Sequence, residues 1–201
     1  MPTDDSPPLD FLLDKLSPER IATLERGVRA RMKGLTVVLE GLYDPGNRSA
    51  VYRSAEGYGL RDVHVVRPLA ARKTHARAVS RGSEKWLDIH TWETPRACID
   101  HLRSRGFQIL ASHLDAARPI ESVDFGRPTA LVFGNEHEGV TNEMLAGSDD
   151  AFILPMRGFS QSFNISVAAG IALSHARRER ERALGRWTDL DDSERDALFE
   201  R

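Results

Sequence analysis

Two polar loops hold the side chains best suited to chemistry, and the first is Gly134-Asn135-Glu136-His137-Glu138-Gly139. Its glycine spacing is that of a phosphate-binding loop, which requires a lysine directly after the second glycine. Val140 stands at that position, and Glu136 and Glu138 would repel a triphosphate. The loop therefore excludes a P-loop nucleotide triphosphatase, and no Gly-x-Gly-x-x-Gly dinucleotide fingerprint follows a predicted strand.

The second polar loop runs from Pro155 to Asn164 and contains Ser162. No Gly-x-Ser-x-Gly turn surrounds this serine, so the pattern argues against an α/β-hydrolase nucleophile. The 7 histidines are scattered without ligand spacing, and Cys98 is the single cysteine. Neither a metal site nor a disulfide framework is expected.

Short apolar runs alternate with helical patterns along the chain, which is typical of an open, mainly parallel α/β sheet flanked by helices. Strands are predicted near residues 35–39, 63–66, 107–111, 130–133 and 151–154. Ligands of such sheets bind beyond the carboxyl ends of the strands. Both polar loops directly follow a predicted strand, so they belong at that edge.

Turn and capping residues place the helices. Ser17-Pro18-Glu19 predicts a helix start, and Asn47 is expected to cap a helix that ends at Gly59. Thr94-Pro95 opens a third helix, and a long one is expected over 165–183. Residues 17–185 are predicted to form the main domain, with a flexible extension over 1–16 and a loosely attached acidic tail over 186–201.

Charge is segregated although the formal net charge is only -2. Cations outnumber acids over 17–34 and 67–85, whereas acids cluster near both ends of the sequence. Such segregation suits a polyanion-binding face, with an ordinary solvated face as the alternative. The uncharged stretch 158–176 is too rich in serine, glutamine and asparagine to be expected to span a membrane. No secretion signal is evident, and a cytoplasmic location is expected.

Taken singly, each candidate residue has an ordinary structural role; Asn164, for example, would cap the long helix expected over 165–183. Three groups of candidate residues nevertheless occur in order along the chain. They are Asn47-Arg48-Ser49-Ala50 with Arg53-Ser54-Ala55, Phe133-Gly134-Asn135-Glu136 with Gly139, and Leu154-Pro155-Met156 with Gln161-Ser162-Phe163-Asn164-Ile165-Ser166-Val167-Ala168. In order and spacing they resemble the three motifs of the SpoU/TrmH RNA 2′-O-methyltransferases of the SPOUT superfamily. The resemblance covers roughly residues 20 to 185.

The resemblance implies a carboxyl-terminal deep trefoil knot, which periodicity alone does not predict. It also implies that S-adenosylmethionine binds in the knot and leaves as S-adenosylhomocysteine. By position, the cofactor-binding residues would be Ser112, Gly134, Glu136, Leu154, Met156, Ser162 and Phe163.

The same resemblance implies that the catalytic residues are Arg53, Asn47, Glu136, Ser162 and Asn164. Within the family, Arg53 would be the base that takes the ribose 2′-hydroxyl proton with help from an RNA phosphate. An arginine is effectively always protonated, so orienting the phosphate and stabilising the developing alkoxide is the easier role.

Within the family the chain is most similar to enzymes that methylate the ribose of guanosine-18 in the tRNA D-loop. Ribosomal RNA or another tRNA nucleoside is the alternative substrate, and a non-catalytic RNA-binding protein is a lesser one. The expected RNA-binding residues are Arg20, Arg26, Arg29, Arg31, Arg72, Lys73, Arg77, Arg81 and Lys85. The resemblance further implies a homodimer whose sites are completed across the interface.

Overall fold

A computed structural model describes residues 13–67, 82–116 and 118–200 of this chain. Six strands form one sheet in the order β3-β2-β1-β5-β4-β6, and every neighbouring pair is parallel. The strands are β1 (Leu35–Glu40), β2 (Asp62–Val66), β3 (Asp88–Trp92), β4 (Gln108–Ser112), β5 (Thr129–Phe133) and β6 (Asp150–Phe152). The predicted parallel α/β sheet is thereby confirmed, and β3 is a strand that the sequence pattern did not indicate.

Six α-helices connect or flank these strands in the described residues. They are α1 (Pro18–Arg29), α2 (Pro45–Gly57), α3 (Pro95–Ser104), α4 (Asn142–Gly147), α5 (Ile165–Leu184) and α6 (Asp192–Phe199). Ser17, Thr94 and Asn164 cap α1, α3 and α5 with their side chains, as the sequence predicts. None of these helices is both long and apolar enough to cross a membrane.

Helix α2 begins earlier than expected. Its N-cap is Asp44, whose carboxylate accepts a hydrogen bond from the Gly46 amide at 2.8 Å, and Pro45 occupies the first turn. Proline fits there because the first-turn amides have no partner within the helix. The prediction that Asn47 caps this helix is therefore wrong, and the Asn47 side chain is free for other contacts.

The sheet has a hydrophobic core on each face, because successive side chains of a strand point to opposite sides. Val37 and Leu39 of β1 belong to the core under α2 and α5. Val38 lies between them in sequence and belongs to the core under α3, together with Ile99 and Leu102. A strand buried on both faces reads as a continuous apolar run, and this explains the pattern at residues 35–39.

The carboxyl-terminal segment is anchored by a cluster that we call the clasp, formed by Arg177, Arg180 and Asp189. Arg180 is 4% exposed, lies 2.7 Å from the Asp189 carboxylate and donates to the carbonyl of Arg127 at 2.8 Å. Asp189 also accepts hydrogen bonds from the backbone amides of Lys33 and Gly34. Residues 188–199 thus pack on the domain instead of forming the loosely attached tail that their acidic composition suggests, since one of those acids balances a buried arginine.

Candidate functional site

A groove of about 540 Å³ lies at the carboxyl edge of the sheet, beside the ends of β4, β5 and β6. This edge is where α/β sheets bind ligands, especially next to the point where the strand order reverses. Here the order reverses between β1 and β5. All seven residues expected to bind the cofactor line this groove: Ser112, Gly134, Glu136, Leu154, Met156, Ser162 and Phe163.

One wall of the groove is the loop 134–139, and its shape depends on two glycines. A Cβ on Gly134 would lie 1.9 Å from the backbone of Gly139, so only glycine allows the two segments to approach this closely. Gly139 has φ +70°, a left-handed conformation that glycine adopts without strain. Asn135 and Gly139 exchange two backbone hydrogen bonds, each 3.1 Å long. The sequence spacing of these glycines therefore reflects a tight backbone hairpin.

Two buried polar side chains hold this loop, and neither is among the site residues expected from the sequence. The Asn135 amide oxygen accepts the backbone amides of His137 at 2.8 Å and Glu138 at 2.7 Å. At the far end, Glu40 accepts hydrogen bonds from the amide and hydroxyl of Thr141 at 2.9 and 2.6 Å. Burial raises the pKa of Glu40, while the Thr141 bonds act in the opposite direction. The sequence does carry a signal for Glu40, because an acidic residue ends the apolar run that forms β1.

Three of the expected catalytic residues form a hydrogen-bonded chain at the groove. Asn47 on α2 donates from its side-chain nitrogen to the Glu136 carboxylate at 2.5 Å. Asn164 in turn donates to the Asn47 side-chain oxygen at 3.1 Å. The Asn164 oxygen caps α5 by accepting the Ser166 amide at 2.9 Å. Asn164 is thus both a helix cap and a member of the site, so its structural and functional interpretations hold together.

Ser162 lines the same groove, but Arg53 does not. Arg53 lies on α2, six residues after Asn47, which places it about 120° away around the helix. Its side chain is exposed, and within the described residues it makes no hydrogen bond or ion pair. One copy of the protein therefore brings four of the five expected catalytic residues together at the groove, and Arg53 lies outside it.

The groove has the chemistry of a site for S-adenosylmethionine. Leu154, Met156 and Phe163 supply apolar walls for a nucleobase and a thioether chain. Glu136 and Glu138 bring negative charge, which favours a sulfonium and an ammonium group and disfavours a triphosphate. Among the described residues, no group of three or more His, Cys, Asp or Glu side chains is arranged to hold a metal ion.

The expected RNA-binding residues fall into three groups. Arg20, Arg26, Arg29 and Lys85 are exposed. Arg31 is buried and donates to the Leu60 carbonyl at 2.7 Å, so its guanidinium supports the fold. Arg72, Lys73, Arg77 and Arg81 lie outside the described residues.

Comparison with known proteins gives a coherent picture. The model of the SpoU rRNA Methylase family matches residues 34–174. The tRNA (guanosine(18)-2′-O)-methyltransferase of Escherichia coli K12 is 38% identical over 169 residues, which cover 84% of this chain and 73% of the relative. The crystal structure of the Aquifex aeolicus TrmH/SpoU tRNA modifying enzyme superposes with a TM-score of 0.78 at 30% identity, covering 90% of this chain and 93% of that one.

A second solved structure bears on the ligand. It is a SpoU methyltransferase from Streptomyces viridochromogenes, in complex with the cofactor AdoMet. It superposes with a TM-score of 0.68 at 25% identity and covers 83% of this chain and 65% of that chain. A similar fold thus binds the ligand whose chemistry the groove matches.

Proposed function

This chain belongs to the SpoU rRNA Methylase family, and from that premise we propose that it methylates the ribose 2′-hydroxyl of guanosine-18 in tRNA. The methyl donor is S-adenosylmethionine. The observation that carries the proposal is the chain of hydrogen bonds from Glu136 through Asn47 to Asn164, located where the expected cofactor residues converge.

The bound cofactor supplies an electrophilic methyl group on a sulfonium. The chain's own residues hold and orient the reactants around it. Leu154, Met156 and Phe163 exclude water from one side, while the hairpin at Gly134 offers main-chain groups. Because Asn47 donates to Glu136, the carboxylate keeps a fixed direction at the mouth of the groove. Positioning of the 2′-oxygen in line with the methyl group then accounts for much of the rate.

Arg53 has the chemistry that the ribose oxygen needs. We assign it the task of holding an RNA phosphate next to the target ribose and stabilising negative charge as the 2′-hydroxyl loses its proton. A guanidinium is a fixed cation with a planar set of donors, which suits phosphate and a developing alkoxide. Its exposure leaves the guanidinium available to a partner.

The position of Arg53 supports a homodimer in which each groove receives the arginine of the other copy. Val167 and Ile171, one turn apart on α5, are 48% and 42% exposed. These two apolar side chains share a surface with Ser54, the neighbour of Arg53, and this surface continues into the groove through Leu154 and Phe163. A second copy seated on this face would cover it and approach the groove.

The deep trefoil knot is also part of this proposal. Ile153, just after β6, pairs with the connection between β4 and β5: its amide donates to Arg118 and its carbonyl accepts from Ile120. The chain beyond β6 thus runs against an earlier loop, an arrangement that threading requires. Residues 17–185 would form the catalytic domain, and a tRNA substrate fits a cytoplasmic enzyme.

The test of activity is transfer of labelled methyl groups to an unmodified tRNA transcript, with nucleoside mapping. We expect 2′-O-methylguanosine at position 18 and no label on a transcript with another base there. Label on ribosomal RNA or at another tRNA nucleoside would keep the chemistry and reject the substrate. Cofactor binding without methyl transfer to any RNA would reject the proposed RNA methyltransferase activity.

The test of the shared site is mixing two inactive variants, Arg53→Ala and Glu136→Ala. If each groove combines Glu136 of one copy with Arg53 of the other, the mixed dimer has one intact groove and activity returns. Mixing with an Ile171→Glu version of either variant should restore no activity, because the glutamate places a charge on the face through which the two copies would associate. No recovery on mixing, with both variants folded and exchanging subunits, would contradict the shared site.

A further inference from the structure

A second groove, of about 450 Å³, lies at the opposite edge of the sheet from the groove lined by the loop 134–139, which we call the cofactor groove because S-adenosylmethionine is proposed to bind there. It is bounded by α1, by the 3₁₀ turn Ser83–Trp86 and by Leu198 of α6. Arg31 and Arg61, which precede β1 and β2, form part of its floor. We call it the Trp86 groove, because the Trp86 side chain lines it and is 52% exposed.

The charges in the Trp86 groove do not cancel. Arg31 pairs with Glu56 at 3.4 Å, and Arg61 lies 3.3 Å from Asp88, so these four groups balance one another. Two further cations line the groove, Arg20 from α1 and Lys85 from the 3₁₀ turn, and both are exposed. Neither forms an ion pair within the described residues. Counted over the described residues, the groove therefore carries two positive charges without an ion-pair partner beside one exposed indole.

An indole face flanked by cations matches a single-stranded nucleic acid. A base stacks on an aromatic ring whatever its sequence, and the cations contact the phosphates on either side of it. We infer that the Trp86 groove is a binding subsite for an unpaired nucleobase of the RNA substrate, with Trp86 as the stacking platform and Arg20 and Lys85 as phosphate contacts. The inference rests on the proposed RNA methyltransferase function.

The Trp86 groove is also placed where an RNA bound at Arg53 would pass. Helix α2 starts after β1 at the carboxyl edge of the sheet and ends before β2 at the amino edge. Arg53 lies in its second half, and Glu56, three residues later on the same helix face, lines the Trp86 groove. An RNA strand whose ribose is presented beside Arg53 thus meets the edge of the Trp86 groove, at Glu56, within about one helical turn along α2.

The test compares Trp86→Ala with Trp187→Ala, in which an equally bulky indole, 76% exposed, lies outside the groove. We expect Trp86→Ala to weaken binding of an unmodified tRNA transcript about tenfold, the loss typical of one stacked base. KM for tRNA should rise by a similar factor, with kcat and affinity for S-adenosylmethionine unchanged. Trp187→Ala should bind like the wild type, and Trp86→Phe should recover most of the affinity because it keeps an aromatic face.

Fluorescence provides a readout that does not depend on turnover. Titration with a single-stranded RNA oligonucleotide should quench wild-type tryptophan emission, and Trp86→Phe should lose most of that quench. Lys85→Ala should lower the salt dependence of binding. If wild-type methyl transfer is normal and Trp86→Ala retains full tRNA affinity, the subsite is refuted while the function stands. If RNA quenches Trp86 but the wild type methylates no RNA, the function fails and the subsite survives.

Discussion

The clasp and the surface around Arg53 hold the same residue type in opposite states of burial and pairing. In the clasp, Arg180 is almost fully buried and its guanidinium is occupied by Asp189 and by backbone carbonyls. Arg53 is exposed and has no protein partner among the described residues. A buried arginine whose donors are all used stabilises one conformation, whereas an unpaired one keeps its donors for a ligand. Pairing and burial, more than residue type, decide which arginines have donors available to a ligand.

The contrast continues within helix α5. Arg177, Arg178, Arg180 and Arg182 form an arginine-rich run in sequence. Arg177 and Arg180, three residues apart, share the inward face, and Arg177 donates to the carbonyls of Ala30 and Tyr58. Arg178 and Arg182 point outward and are exposed. Helical periodicity thus divides one basic run into an anchor for the fold and a solvated face.

The largest effect should come from breaking the clasp. Arg180→Met leaves the buried Asp189 carboxylate without its counter-charge and removes the guanidinium donor from backbone carbonyls, which should cost about 3–5 kcal/mol of unfolding free energy. Arg182→Met removes an exposed arginine paired with Glu179 and should cost less than about 1 kcal/mol. Chemical denaturation of both variants measures the difference. Equal free energies of unfolding for the two variants would mean that burial does not determine how much each arginine contributes to stability.

Replacing Arg53 should have the opposite effect to replacing Arg180, with stability nearly unchanged and activity strongly reduced. Arg53→Ala should leave the free energy of unfolding within about 0.5 kcal/mol of the wild type. It should lower kcat/KM for tRNA at least about a hundredfold, because an electrostatic contact to the developing oxyanion is lost. Arg53→Lys should recover only part, since an ammonium lacks the planar fork. The measurement pairs thermal unfolding with initial rates of methyl transfer, and a large fall in Tm would contradict a purely functional Arg53.

His64 extends the comparison to a buried group that is neutral. It is a residue of β2, and its Nδ1 accepts the Trp92 indole proton at 3.1 Å. Burial, followed by His90, His101 and Arg105, lowers the pKa of His64 to about 3; the Asp62 carboxylate belongs to the same cluster, 2.7 Å from His90. Because the unfolded state binds the proton near pH 6.5 and the folded state does not, stability is lost as pH falls from 6.5 toward 3.

His64→Asn tests this sign, since the asparagine oxygen can still accept the Trp92 indole proton. Relative to its value at pH 7, the wild type should lose about 2 kcal/mol more unfolding free energy at pH 5 than the variant does. Denaturant titrations at both pH values measure the difference. Parallel pH profiles for the two proteins would assign the acid sensitivity to another group.

The smallest expected effect concerns the backbone of the cofactor groove. Gly134→Ala places a methyl group against the Gly139 backbone and should weaken S-adenosylmethionine binding at least about tenfold by opening the hairpin. Gly158→Ala, in the other loop beside the groove, meets nothing within 4 Å and serves as the control. Calorimetric titration distinguishes them. Equal affinities would show that the hairpin is not part of the cofactor site.

Sequence patterns predicted most of the central sheet and several helix starts, because burial on both faces and N-capping are local signals. They missed β3, whose half-buried residues include Asp88 and His90 and do not form an apolar run. They also missed α6, although Asp191 and Glu194 form a capping box that is visible in the sequence. Acidic composition concealed that short helix.

The sequence by itself determined the family resemblance, the parallel sheet and the identity of the site candidates, because motif order, apolar runs and turn residues are properties of the chain. Only the tertiary structure decided which polar groups meet. Asn47 reaches Glu136, 89 residues away, and Arg180 pairs with a tail acid. Arg53 stays outside the groove that its own chain forms. Such pairings depend on how segments far apart in the sequence pack against one another, and local sequence patterns do not predict that packing.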